Sequence, residues 1–61
     1  MPVVTVEWVS GRSKEQREKV AKAINDAMVN IGKAPENGTY ILFKDVPGEN
    51  WAVGEKLVSD S

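Results

Sequence analysis

A short chain that lacks both cysteine and histidine has few ways to stabilise a fold. This sequence has 61 residues, none of them cysteine or histidine, and we expect a single domain over residues 1–61. A core of that size contributes roughly 3–5 kcal/mol, so such chains usually recruit a disulfide, a metal or a partner chain. Disulfides and the commonest zinc sites are excluded here. We therefore expect a homo-oligomer.

The same absence limits the chemistry that the chain can perform. Without histidine or cysteine it has no Ser–His or Cys–His nucleophile pair, so a general base must be a carboxylate, a lysine, the tyrosine or the chain terminus. The net charge of −1 gives no reason to expect nucleic acid or an anionic membrane as a partner. No apolar run approaches the ~18 residues of a membrane span, and no secretory signal is visible, so we expect a cytoplasmic protein.

The first half of the chain predicts a strand and then a helix. Residues 2–9 are rich in β-branched side chains and alternate as a strand does. Ser13 is a candidate N-cap, and Gln16 three residues later completes a capping box. Residues 14–31 are helical by their periodicity, and Gly32 fits the position just past the helix end. The apolar stripe of this helix consists of Val20, Ile24, Ala27, Met28 and Ile31.

The second half predicts a smaller amount of sheet. Residues 39–43 form the second strand, residues 45–48 a turn, and residues 50–53 a short strand or hairpin arm that Gly54 ends. A helix of about 18 residues between two strands favours a parallel pair. The free edges and open face of so small a sheet need covering, most simply by copies of the same chain.

Several sequence features occur together along the chain. A strand begins at Pro2, residues 11–13 read Gly-Arg-Ser and lead into a Lys-Glu-Gln helix start, Ala-Pro follows the helix, and Trp51 lies near the third element. In this combination the sequence resembles the 4-oxalocrotonate tautomerase family of the tautomerase superfamily. The resemblance extends over essentially the whole chain. It implies an α/β protein with a β-α-β tautomerase fold, a short C-terminal hairpin and a sheet completed by oligomerisation, with a hexamer as the usual assembly.

The resemblance also implies the activity and the site. It implies keto–enol tautomerisation of a small-molecule carboxylate, a 2-oxo acid or 2-hydroxy-dienoate, with no metal and no cofactor. Pro2 is the general base once Met1 is removed, Arg12 binds the substrate carboxylate, and Trp51 forms an apolar wall. The founding enzyme has a second arginine, from a neighbouring chain, early in its second strand. Here that position is Tyr40. Either its hydroxyl donates a hydrogen bond to the substrate, or its ring only takes part in the packing of the strand.

Elementary chemistry agrees with these roles. An α-amino group titrates near ~7.7–8, and desolvation together with a nearby cation lowers that pKa toward neutrality. The ring of Pro2 is rigid, so its lone pair is well aimed. The guanidinium of Arg12 can form two parallel bonds to a carboxylate, and it precedes a helix start with free N–H groups.

Two other hypotheses remain open at this point. The same proline serves other reactions in the superfamily, namely alkene hydration with dehalogenation and decarboxylation of a 3-oxo acid. Hydration requires a carboxylate that activates water, and no residue of this sequence is singled out for that role. The other hypothesis is a non-catalytic, oligomeric binding protein that keeps the fold.

Overall fold

The computed structural model describes residues 1–60. Strand β1 (Val3–Val9) is followed by helix α1 (Lys14–Asn30) and strand β2 (Tyr40–Val46). A short hairpin of β3 (Ala52–Val53) and β4 (Lys56–Leu57) completes the chain, with 3-10 turns at Gly48–Asn50 and Val58–Asp60. The predicted β-α-β order and the C-terminal hairpin are therefore confirmed.

The two long strands pair in parallel, as predicted. The register runs from Val3 opposite Tyr40 to Val9 opposite Val46. Because side chains alternate along a strand, β1 divides into two faces. Val4, Val6 and Trp8 are half-buried on the face toward α1, whereas the residues between them are exposed. One face of the sheet is thus covered and the other is open.

Helix α1 begins where the sequence predicts. The backbone N–H of Gln16 donates to Ser13 Oγ over 3.2 Å, and Ser13 N–H donates to Gln16 Oε1 over 2.8 Å, which completes the capping box. Its half-buried side carries Val20, Ile24 and Met28. Each of these satisfies the four-residue spacing that keeps a side chain on one face.

The predicted apolar stripe is wrong at its outer positions. Ala27 is exposed, and Ile31 is 82% exposed because it lies one residue past the end of the helix. A sheet of two strands is too narrow to cover these positions. Gly32 follows this C-cap residue, and a Cβ there would approach the carbonyl oxygen of Met28 to 2.8 Å. A side chain at position 32 would therefore clash with the last turn.

Strand β2 is longer than the sequence predicts. The turn expected at 45–48 begins only after Val46, because Lys44, Asp45 and Val46 continue the ladder opposite Glu7, Trp8 and Val9. The cross-strand partners outweigh the turn preference of an Asp-Val-Pro-Gly sequence. In the hairpin that follows, Gly54 has φ +65°, a left-handed conformation that favours glycine.

The isolated chain lacks a core. No side chain within residues 1–60 is buried, and the accessible surface is 4719 Å² where a monomeric protein of 6.7 kDa exposes roughly 3,900 Å². The radius of gyration is 14.4 Å, against about 10.5 Å for a compact chain of this length. Much of the excess is apolar: Val3 and Leu42 on the open face are 61% and 44% exposed, and Val53 of the hairpin is 71% exposed. A single copy therefore does not bury the surface that a stable domain requires.

Candidate active site

Pro2 lies at the amino end of the sheet. Its backbone carbonyl accepts a hydrogen bond from the N–H of Tyr40 over 2.9 Å, which fixes Pro2 beside the first residue of β2. Pro2 is half-buried, while Met1 before it is exposed. The residue predicted as the general base is thus held by a backbone hydrogen bond at the start of β1.

Tyr40 shares this end of the sheet with Pro2. It stands opposite Val3 in the register, and both side chains lie on the open face. The ring of Tyr40 is half exposed. The structure therefore places Tyr40 beside Pro2 of the same chain, whereas the resemblance implies that the residue at this strand position reaches the site from a neighbouring chain.

Arg12 lies at the opposite, carboxyl end. It follows β1 in the turn before α1, with Gly11 at φ +133° ahead of it. Arg12 Nη1 donates to the carbonyl of Val9 over 2.7 Å, and its guanidinium carbon lies 4.4 Å from the ring centroid of Trp8. The side chain is exposed but held in one position, rather than extended freely into solvent.

Trp51 lies in the C-terminal segment. Its N–H donates to the carbonyl of Gly48 over 3.3 Å, and its own carbonyl accepts from Val58 N–H over 2.8 Å. These bonds fix the residue between the 3-10 turn and the hairpin, where it is half-buried. Trp51 is thus held on the carboxyl side of β2, after the turn that ends the strand.

The predicted site residues of one chain do not form one site. Strand β1 separates Pro2 from Arg12, and its seven residues span roughly 23 Å at the usual rise of about 3.3 Å per residue. A small carboxylate bound by Arg12 therefore cannot reach Pro2 of the same chain. Within residues 1–60 the single chain also encloses no pocket.

Three residues near Arg12 were not predicted as part of the site. Trp8, Asp45 and Arg17 contact one another or Arg12 at the carboxyl end of the sheet. Alternation along β1 indicated that Trp8 points toward the covered face. Asp45 was assigned to a turn, and this concealed that it stands opposite Trp8.

The remaining charges of α1 pair along its outer surface. Lys14 with Glu18, Lys19 with Glu15, and Lys22 with Asp26 are i,i+4 pairs with exposed side chains. The hydrogen bond and the charge of Asp26 raise the pKa of Lys22 above its usual value of 10.5. These groups form a solvated face. In the part of the chain that the structure describes, no cluster of acidic side chains is arranged to hold a metal ion.

Comparison with known proteins defines the family. Residues 2–61 match the family model described as tautomerase enzyme. A Bacillus cereus protein described as a "probable tautomerase" is 33% identical over 60 residues, which cover 98% of each chain. The β-α-β fold and the full-length match place this chain among the tautomerases. The chain belongs to the tautomerase family.

Solved structures agree with this assignment. A structure from a study of the 4-oxalocrotonate tautomerase isozymes of Methylibium petroleiphilum aligns with a TM-score of 0.87 and 29% identity, over 95% of this chain and 94% of that one. One from a heterohexameric 4-oxalocrotonate tautomerase of Chloroflexus aurantiacus aligns with a TM-score of 0.90 and 25% identity, over 98% and 97%. The Chloroflexus relative is described as a heterohexamer. No helix in residues 1–60 is long and apolar enough to cross a membrane.

Proposed function

We propose that this protein is a keto–enol tautomerase of a 2-oxo acid or 2-hydroxy-dienoate, with the amine of Pro2 as general base after removal of Met1. The observation that carries the proposal is the position of Pro2, half-buried and tied to Tyr40 at the amino end of the sheet. A secondary amine held there can take the proton of an enol hydroxyl and return a proton to carbon. No atom is gained or lost in this isomerisation, and no cofactor is required.

The amine must be free and uncharged to act as a base. As long as Met1 is attached, the Pro2 nitrogen belongs to an amide whose lone pair is delocalised into the carbonyl. After its removal, desolvation and a neighbouring guanidinium both lower the pKa of the Pro2 amine, because each disfavours its protonated form. A lower pKa makes more of the base available near neutral pH.

We further propose that each site forms between two chains of a homo-oligomer. Because Pro2 and Arg12 lie at opposite ends of β1, the amino end of one copy must meet the carboxyl end of another. Arg12 of that second copy then binds the substrate carboxylate, with Trp51 as an apolar wall that excludes water. The lack of a core and the apolar open face support the same arrangement. Hexameric assembly is proposed on the resemblance and on the Chloroflexus relative.

The direct test is ketonisation of phenylpyruvate enol by purified protein. The reaction is monitored through the absorbance of the enol. We expect turnover that 3-bromopyruvate abolishes, with one label per active chain located on the nitrogen of residue 2 by peptide mass spectrometry. The nitrogen displaces bromide in that reaction. Turnover that persists after complete labelling of Pro2 would remove it as the base. A pure protein with no turnover would favour a non-catalytic binding function.

A further inference from the structure

The guanidinium of Arg12 lies over an aromatic ring of its own chain. Its central carbon is 4.4 Å from the centroid of the Trp8 ring, within the range of a cation–π contact. Arg12 Nη1 donates to the carbonyl of Val9. A guanidinium has five N–H donors, and a contact through the face of a ring uses none of them. Trp8 therefore holds the group while leaving N–H donors for a carboxylate.

Trp8 is itself fixed in two ways. Its ring stacks on Phe43 with 5.2 Å between centroids and an interplanar angle of 21°. Its indole Nε1 donates to Asp45 Oδ1 over 2.5 Å. The stack fixes the plane of the ring, and the hydrogen bond fixes its rotation within that plane. The surface on which Arg12 lies is thus set by the sheet rather than by a mobile turn.

The contacts return to Arg12 through Arg17. The second oxygen of Asp45 lies 3.7 Å from Arg17 Nη1, and the same nitrogen donates to the backbone carbonyl of Arg12 over 2.8 Å. Arg12, Trp8, Asp45 and Arg17 therefore form a closed ring of contacts. This ring holds the backbone of Arg12 at one point and its guanidinium at another.

We infer that Trp8 is a positioning residue that orders the Arg12 guanidinium for capture of a carboxylate, with Asp45 fixing the orientation of its ring. The inference rests on the proposed function, since it assumes that Arg12 binds the substrate carboxylate. An arginine that is ordered before binding loses less side-chain freedom when the ligand arrives. The contribution of Trp8 is therefore expected in ligand affinity rather than in the proton transfer.

Kinetics of Trp8→Leu in the assembled protein tests the inference. We expect KM for phenylpyruvate enol to rise about threefold to tenfold, as loss of a cation–π contact implies, with kcat changed less than about twofold. The enol of methyl phenylpyruvate, which has no carboxylate, is the matched substrate, and its kcat/KM should stay unchanged. In an Arg12→Ala background Trp8→Leu should have no further effect. If Trp8→Leu fails to assemble, Trp8→Phe replaces it in the test. Because this variant keeps an aromatic ring, we expect a smaller rise in KM.

A binding measurement separates this inference from the proposed function. Phenylacetate, an inert carboxylate, is titrated by calorimetry into the wild type, Trp8→Phe and Trp8→Leu, with assembly checked by sedimentation. We expect affinity to fall in that order. Binding that depends on Trp8 without any turnover of enol would overturn the proposed function and keep the positioning role. Equal losses on the acid and the ester, or unchanged phenylacetate affinity, would overturn the positioning role whether or not the enzyme turns over.

Discussion

The indole N–H of Trp8 donates to the carboxylate of Asp45 across the β1–β2 pair, with 2.5 Å between Nε1 and Oδ1. The two residues are partners in the register, near the end of the sheet. The bond therefore ties together the second-to-last residues of both strands. Because Arg12 lies over the same indole ring, this one contact links the stability of the sheet to the candidate active site.

Asp45→Ala should destabilise the protein by about 1 kcal/mol. The variant removes a charge-assisted hydrogen bond worth about 1.5–3 kcal/mol when shielded, and the partial exposure of Asp45 reduces that value. Urea unfolding at a fixed protein concentration measures the change. Glu18→Ala is the matched control, since its pair with Lys14 spans 3.8 Å between exposed side chains on the solvated helix face and should contribute less than about 0.5 kcal/mol. Equal effects of the two variants would contradict the role given to Asp45.

Leu42→Asp should disrupt assembly. Leu42 lies on the open face of the sheet, 44% exposed in the single chain, and a second copy that covers this face would bury the new carboxylate. We expect the wild type to sediment as an oligomer at micromolar concentration and to lose apparent stability on dilution, with the variant shifted to smaller, partly unfolded species. Lys14→Asp on the solvated helix face is the control and should assemble normally. A wild type that sediments as a stable folded monomer would contradict the proposed assembly.

Mixing two inactive variants should restore activity. Arg12→Ala is expected to lose about 2–4 kcal/mol in kcat/KM, and a Pro2→Ala protein most of its turnover. If each site takes Pro2 from one chain and Arg12 from another, random pairs of the two variants leave about a quarter of the sites intact, one in each mixed pair. The measurement is the rate after the variants are unfolded, mixed and refolded together. A mixture no more active than its components would place both residues of a site in one chain.

Tyr40 in place of a second arginine should relax the preference for dicarboxylates. With no guanidinium at this position, we expect the enol of a 2-oxo monoacid to be handled about as well as that of a dicarboxylic acid. Tyr40→Phe should lower kcat/KM about tenfold, the value of one hydrogen bond of about 1.4 kcal/mol from its hydroxyl to the substrate. Unchanged kinetics in this variant would assign the ring to packing. A strong preference for the dicarboxylate would require another cation, such as Lys44 or Arg17 of a neighbouring chain.

Local signals in the sequence were sufficient for much of the fold. The capping box of Ser13 and Gln16 involves residues three positions apart, and periodicity placed the strand, the helix and the second strand in the correct order. The end of β2 was predicted wrongly because it depends on Trp8, which is 37 positions from Asp45 in the chain. Ile31 was placed on the buried stripe because helical periodicity continues past the residue where the helix ends.

The sequence indicated which residues belong to the candidate site more readily than it indicated which chain contributes each of them. The resemblance singled out Pro2 and Arg12 without showing that β1 holds them at opposite ends of one chain. That separation is a property of the folded strand. A site built from two copies also leaves no sign in the spacing of residues along one chain. Trp8 is a related case. The alternation along β1 indicates that its side chain packs on the covered face, but does not show whether that side chain also contacts Arg12.

The most direct test of the account is the activity of two preparations that differ only in Met1. One is processed to begin at Pro2 and the other retains Met1 behind a short N-terminal extension, with both masses verified. We predict that both assemble alike, that only the processed form ketonises phenylpyruvate enol, and that its kcat/KM rises with pH as the amine loses its proton, with a midpoint below the ~7.7–8.0 of an ordinary α-amino group. Full activity in the preparation that retains Met1 would contradict the central claim that the Pro2 amine is the base.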